Sequence, residues 1–169
     1  SPFFNGSAIM TQKYDSTGAL LWEAQLDGQF GDQFYTSVIG YDNHVVVGGR
    51  RYSMPGSLPG RAEVAKYDYE NGSELWLNYI FDTIQQGANL VDLDMDNNEN
   101  IFACGVVSSY SNGVYGPNKM FLAKVNYFSG ETVWGRISDD KVSAIKVRFF
   151  DDKVRVYGTK QVGQFNYIN

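Results

Sequence analysis

The chain carries one cysteine, Cys104, and one histidine, His44, and these two scarcities remove whole classes of chemistry. A single thiol forms no intrachain disulfide and leaves the redox compartment open. One histidine without a cysteine pair supplies neither the usual zinc ligand set nor a nucleophile–base relay. His44 therefore reads as a surface-turn residue, and Cys104 as a small buried side chain on an outer or third-layer strand. Long apolar runs are also missing: nothing approaches the ~20 residues of a membrane-spanning helix. A basic face is missing too, because 14 Lys and Arg and 19 Asp and Glu are scattered along the chain, with net charge -5. That excludes the clustered positive surface of a nucleic-acid binder. No Gly-rich phosphate loop, nucleophile elbow or well-placed acid pair stands out. The expectation is no enzyme, no catalytic residue and no cofactor.

What is present points to β structure. Hydrophobic residues make up 43% of 169 residues and aromatics 15%, enough for a real core. The 18 Gly, 12 Tyr and 11 Phe suit turns and strands, and no long segment repeats at the helical period.

One phrase recurs three times. Tyr14 to Trp22 reads YDSTGALLW, Tyr67 to Trp76 reads YDYENGSELW, and Val125 to Trp134 reads VNYFSGETVW. Trp22, Trp76 and Trp134 are separated by 54 and 58 residues, and Gly18, Gly72 and Gly130 stand four residues before them. A second marker, VVVGG, IFACG and VRVYG, closes on Gly49, Gly105 and Gly158 at spacings of 56 and 53. Two independent markers at matching periods define an internal repeat. The repeats run over 1–60, 61–117 and 118–169. Each reads as four strands: one ending in Lys13, Lys66 or Lys124, one bearing the Trp, a third, and the VVVGG-type fourth. The Asp or Asn caps the first turn and the Gly takes its left-handed position. Tight polar turns (Asp42-Asn43, Asp96 to Asn100, Asp151-Asp152) join strands three and four.

With these residues the chain resembles the bacterial-type β-propeller repeat family, through KYDSTGALLW followed by MDNNENIFACG, and the tryptophan-docking repeats of quinoprotein-type propellers. The resemblance runs through all three repeats. It implies an all-β fold, a β-propeller with three four-stranded antiparallel blades belonging to a larger six- to eight-bladed ring. Three blades alone leave two apolar flanks in water, so further blades or a protein partner are expected to complete the ring. The chain begins at Ser1 rather than Met, which fits a removed leader or an internal piece.

Candidate residues follow from the repeat. Trp22, Trp76 and Trp134 are expected to wedge between blades, each N–H finding a backbone acceptor. Lys13, Lys66 and Lys124, at the end of a presumed innermost strand, are candidates for an anionic ligand at a central channel, or else pair with Asp15, Asp68 or Asp92. Asp92, Asp94 and Asp96 alternate as calcium ligands do, but Asn97 stands where a calcium loop needs Gly. A solvated strand face followed by a turn explains them better, with Leu93 and Met95 pointing inward. The links Arg50 to Gly60 and Val107 to Asn118 bring forward Tyr52, Met54, Tyr110 and Tyr115 as contacts to a protein or a glycan. Asn5 and Asn71 begin glycosylation tripeptides, a weak pointer to a secreted or cell-surface location.

The expected function is a non-catalytic propeller scaffold or protein-interaction module, a segment of a larger secreted or surface protein. The alternatives are a fragment of a quinoprotein dehydrogenase or a glycan-binding propeller. The first alternative is weakened by the adjacent cysteine pair of several such enzymes, which one Cys cannot form.

Overall fold

The computed structural model describes residues 9–26, 33–51, 60–81, 86–112 and 114–160. Every regular element among them is a strand: β1 (Ile9–Tyr14), β2 (Leu20–Leu26), β3 (Gln33–Ile39), β4 (Val45–Arg51), β5 (Arg61–Tyr67), β6 (Glu74–Ile80), β7 (Gln86–Met95), β8 (Asn100–Ser111), β9 (Val114–Tyr115), β10 (Lys119–Asn126), β11 (Thr132–Ile137), β12 (Val142–Phe150) and β13 (Lys153–Lys160). None is a helix, so none is a helix able to cross a membrane.

The repeated phrase forms hairpin turns by the chemistry its residues suggest. Asp15 Oδ1 accepts the N–H groups of Thr17 and Ala19 at 2.8 and 2.9 Å. Asp68 Oδ1 accepts those of Glu70 and Asn71, and Asn126 Oδ1 those of Phe128 and Ser129. Gly18, Gly72 and Gly130 have φ of 88, 72 and 74°, a region costly for residues with a Cβ. Each first strand slips by one residue beside its lysine, between Lys13 and Tyr14, Lys66 and Tyr67, and Lys124 and Val125. Such bulges sharpen strand twist. They recur because the repeats are structural as well as textual.

The hydrogen-bonded sheets are antiparallel, and they do not follow the repeat boundaries. One complete sheet has the order β3-β4-β5-β6, and a second has β7-β8-β10-β11 with β9 added to β8. β1-β2 and β12-β13 are two-stranded. The expected grouping of four strands within one repeat is thus corrected by half a unit. Each complete sheet takes two strands from one repeat and two from the next. The seams are the long ladders Val45↔Tyr67 to Arg51↔Arg61 and Asn100↔Asn126 to Val107↔Lys119. Among the described residues the four sheets form an open series, not a closed ring.

Three clusters hold the series together. Val46, Val64, Ile80, Leu90, Leu93, Ile101, Phe121, Val125 and Tyr127 fill the space between the complete sheets. Val47, Ala65 and Tyr67 join the first complete sheet to Trp22 and Ala24 of β2. Phe102, Cys104, Ala144 and Val147 join the second to β12 and β13. Burying one such large side chain contributes about 2–3 kcal/mol. Gly48 permits a close approach between the complete sheets: a Cβ there would stand 2.7 Å from Leu90 Cδ2.

Candidate functional site

The junctions between successive sheets are the most elaborately built places in the described structure. Lysine and tryptophan of each repeat are direct cross-strand partners: Lys13↔Trp22, Lys66↔Trp76 and Lys124↔Trp134. The indole of Trp22 lies over Gly72 in the next turn, and that of Trp76 lies over Gly130. A Cβ at these glycines would meet Trp22 Cε3 at 2.6 Å and Trp76 Cδ2 at 2.7 Å. Trp22 Nε1 donates to Tyr69 O at 2.9 Å, and Trp76 Nε1 to Tyr127 O at 3.0 Å. Both indoles are therefore wedges with a backbone acceptor, as expected. Trp134 packs beside Phe102, their ring centroids 6.3 Å apart, while Gly18 has nothing within 4 Å of its would-be Cβ.

Lys66 and Lys124 are not on an innermost strand, whereas Lys13 lies on β1, at the edge of a two-stranded sheet. β5 and β10 lie inside their sheets, flanked on both sides, and the expectation of a channel-lining lysine ring is corrected on that ground. Lys66 is buried, with Nζ 3.4 Å above the Tyr127 ring and 3.2 Å from Asp42 Oδ2. Its carboxylate is thus Asp42, not Asp15, Asp68 or Asp92. Lys13 Nζ lies 3.1 Å above the Tyr69 ring and donates to Tyr69 O at 2.9 Å. Lys124 Nζ lies 6.0 Å from the Phe102 ring centroid.

Around Lys66 the structure assembles a polar cluster that sequence reading missed. The Tyr127 hydroxyl donates to Asp42 Oδ1, and a Cβ on Gly40 would fall on that hydroxyl. His44 Nδ1 accepts the Tyr69 N–H at 2.8 Å and stands 3.9 Å from Asp68 Oδ2, while its Nε2 stands 3.8 Å from Asp42 Oδ2. His44 is in the β3–β4 turn as expected, but it is half-buried and locks two turns together. Burial first, then the hydrogen bond to Asp42, push the Tyr127 phenol upward. Burial pulls Asp42 upward, yet the Tyr127, His44 and Lys66 hydrogen bonds outweigh it and the carboxyl ends below its ordinary value. The available signal was a Tyr following the Asp or Asn of two turns, at Tyr69 and Tyr127.

The acidic stretch has a structural role. Asp92 Oδ1 accepts from Thr36 Oγ1 at 3.0 Å, and its Oδ2 accepts from Val147 N at 3.0 Å and Arg148 Nη1 at 2.9 Å. Asp94 Oδ2 accepts from Phe149 N at 2.6 Å. These carboxylates tie β7 to β3 and β12, so the expected solvated face is corrected to a sheet-to-sheet contact. Asp96 is buried and caps its own turn through Asn98 N and Asn100 N. Leu93 is buried and Met95 partly so, as expected. No trio of potential ligands among the described residues could hold a metal ion.

Tyr52, Met54 and Asn5 lie outside the described residues. The second link is partly regular: β8 runs to Ser111 and turns into β9, so Tyr110 and Tyr115 face each other with ring centroids 4.8 Å apart. Tyr115 is exposed. Asn71 is exposed on its turn and accepts from Ser73 N. Cys104 sits on β8, inside the second complete sheet and not on an outer strand, fully buried; burial and then the charge of Asp92 push its thiol up to about 12. A separate charged group lies at the end of the first complete sheet. There Arg51 Nη1 is 3.6 Å from buried Glu63 and donates to the Tyr79 hydroxyl at 2.9 Å. No family model and no curated protein matches this chain.

Proposed function

We propose that this chain is a stretch of β-propeller acting as a non-catalytic scaffold and protein-interaction module within a larger secreted or surface protein. The observation that carries the reading is the repeated dock, in which Trp22 and Trp76 cover Gly72 and Gly130 and donate to Tyr69 O and Tyr127 O. A dock that recurs at each step generates a continuing series of sheets, which is how a propeller is built. Its repeated chemistry joins sheets, leaving the loops to make contacts. Among those loops the β8–β9 hairpin presents Tyr110 and Tyr115, an aromatic pair suited to a protein contact.

The same pair favours a second reading, a glycan-binding propeller, in which Tyr115 stacks on a sugar ring. The quinoprotein alternative fits the residues poorly. A lone thiol buried inside a sheet offers no adjacent cysteine pair.

The test uses the whole chain and its Tyr110→Ala/Tyr115→Ala variant on protein and glycan arrays. The scaffold reading expects a protein signal that the variant loses at unchanged melting temperature. A signal confined to glycans supports the second reading. Dye reduction after loading with pyrroloquinoline quinone overturns both.

A further inference from the structure

The two half-sheets are complementary parts of one missing sheet. In each complete sheet a third-and-fourth-strand pair joins a first-and-second-strand pair of the next repeat, across β4/β5 and β8/β10. β1-β2 is a first-and-second pair without an inner neighbour among the described residues, and β12-β13 is a third-and-fourth pair without an outer one. Among the described residues, the strands that lack the seam neighbour their repeat counterparts have are β1 and β13. The two intact seams set one register: Gly49↔Glu63 and Val46↔Lys66 in one, Gly105↔Phe121 and Phe102↔Lys124 in the other. Moved to the repeat-equivalent residues, that register sets Gly158 opposite Met10, Tyr157 opposite Thr11 and Arg155 opposite Lys13.

Burial and chemistry support this pairing. Tyr67 on β5 is 2% exposed, whereas its counterpart on β1, Tyr14, is 53% exposed. Lys66 and Tyr127 are completed by Asp42 from the β3–β4 turn. The matching pair, Lys13 and Tyr69, instead borders an apolar-walled cavity of about 330 Å³ with Trp22, Ile39 and Val45. The β12–β13 turn that would fill it carries Asp151 and Asp152, both exposed. In that register Asp152 and Asp151, the latter already 3.8 Å from Lys153, would stand beside Lys13 and Arg155. Arg155 already leans toward that turn, donating to Phe150 O at 3.2 Å. The same arrangement sets the open Gly18 turn beside Trp134, repeating the dock made by Trp22 and Trp76.

We propose that the chain pairs head to tail with a second copy of itself, β13 of each copy adding to β1 of the other. The proposal rests on the propeller reading above. A strand added in register to an open edge satisfies its backbone groups and is a common mode of association. For the three repeats of this chain taken by themselves, the number of copies follows from closure. One copy joined to itself gives three sheets, two copies give six and three give nine, and propellers close with about 4–8. A head-to-tail contact that closes makes a ring, here of two copies.

The test is the mass of the purified chain by sedimentation, with a disulfide probe of register. The expected species has twice the 19.0 kDa chain mass. Asp151→Asn/Asp152→Asn keeps residues tolerant of the left-handed turn and is expected to weaken dimerisation about tenfold or more. Thr11→Cys/Tyr157→Cys is expected to form an interchain disulfide on oxidation, because opposed strand residues fall within disulfide reach. A dimer lacking that crosslink, an intrachain crosslink in a monomer, or an open-ended polymer each overturns the proposal. A folded monomer at all concentrations also overturns it, but leaves the scaffold reading to stand or fall on the Tyr110 and Tyr115 arrays.

Discussion

Trp76 lies so close over Gly130 that a methyl group on that glycine would stand 2.7 Å from indole Cδ2. The glycine is thus needed twice, once for its φ of 74° and once to receive the ring. Gly130→Ala is expected to cost about 3 kcal/mol, combining left-handed strain with overpacking. Gly18→Ala, at dilutions where the chain is monomeric, is expected to cost only the backbone share, about 1 kcal/mol. Urea unfolding of the two variants measures the difference.

Replacing the ring separates its packing from its hydrogen bond. Trp76→Ala is expected to destabilise by about 3–5 kcal/mol, as large-to-small changes at packed sites do. Trp76→Phe keeps most of the aromatic area and loses the bond to Tyr127 O, for which about 1 kcal/mol beyond the reduced packing is expected. Equal losses for the two variants would show that the N–H bond, and not the wedge, dominates.

Asp92 is expected to matter through β12. Asp92→Ala leaves the Val147 N–H and the Arg148 guanidinium without their carboxylate partner. A loss of about 2–3 kcal/mol is expected. The double variant with Arg148→Ala should lose less than the sum of the two single ones, because both act on one contact. Added calcium should leave the melting temperature unchanged.

Stability should fall in acid through Asp42. Its folded pKa lies below its ordinary value because the Tyr127, His44 and Lys66 hydrogen bonds outweigh burial. A depressed carboxyl contributes its stability fully above the unfolded value, about 3.9, and loses it as pH falls through the lower folded value. Asp42→Asn is therefore expected to flatten the pH dependence of stability below about pH 4. Parallel dependence in the two proteins would remove Asp42 from that role.

Cys104 should be unreactive in the folded chain. With the thiol pushed up to about 12 and no exposed surface, almost no thiolate is available near neutral pH. A disulfide reagent at pH 8 is expected to label nothing in native protein and one thiol after denaturation.

The repeat made much of the fold legible. Gly and Asx at fixed spacing announced the hairpins, which depend on chain neighbours a few residues apart. The wedges act across 47 and 51 residues and were legible only because one Trp recurs in each repeat. The sheet grouping was harder to read. Strand pairing between β4 and β5 is made across the repeat boundary, and a periodic sequence looks the same whichever four strands are taken as the unit. The lysines were misplaced for that reason, since shifting the unit by two strands moves Lys66 from an edge to the interior of a sheet.

By itself, the sequence determined the strands and their turns, consequences of local backbone preference and side-chain period, and its repeat marked the tryptophans that join one repeat to the next. Only the tertiary structure decided which strands share a sheet, that Asp42 and Tyr127 close around Lys66, and that Asp92 binds β12. Those partners lie from 24 to 85 residues apart in the chain, and pairing over such distances is set by packing, which no local pattern encodes.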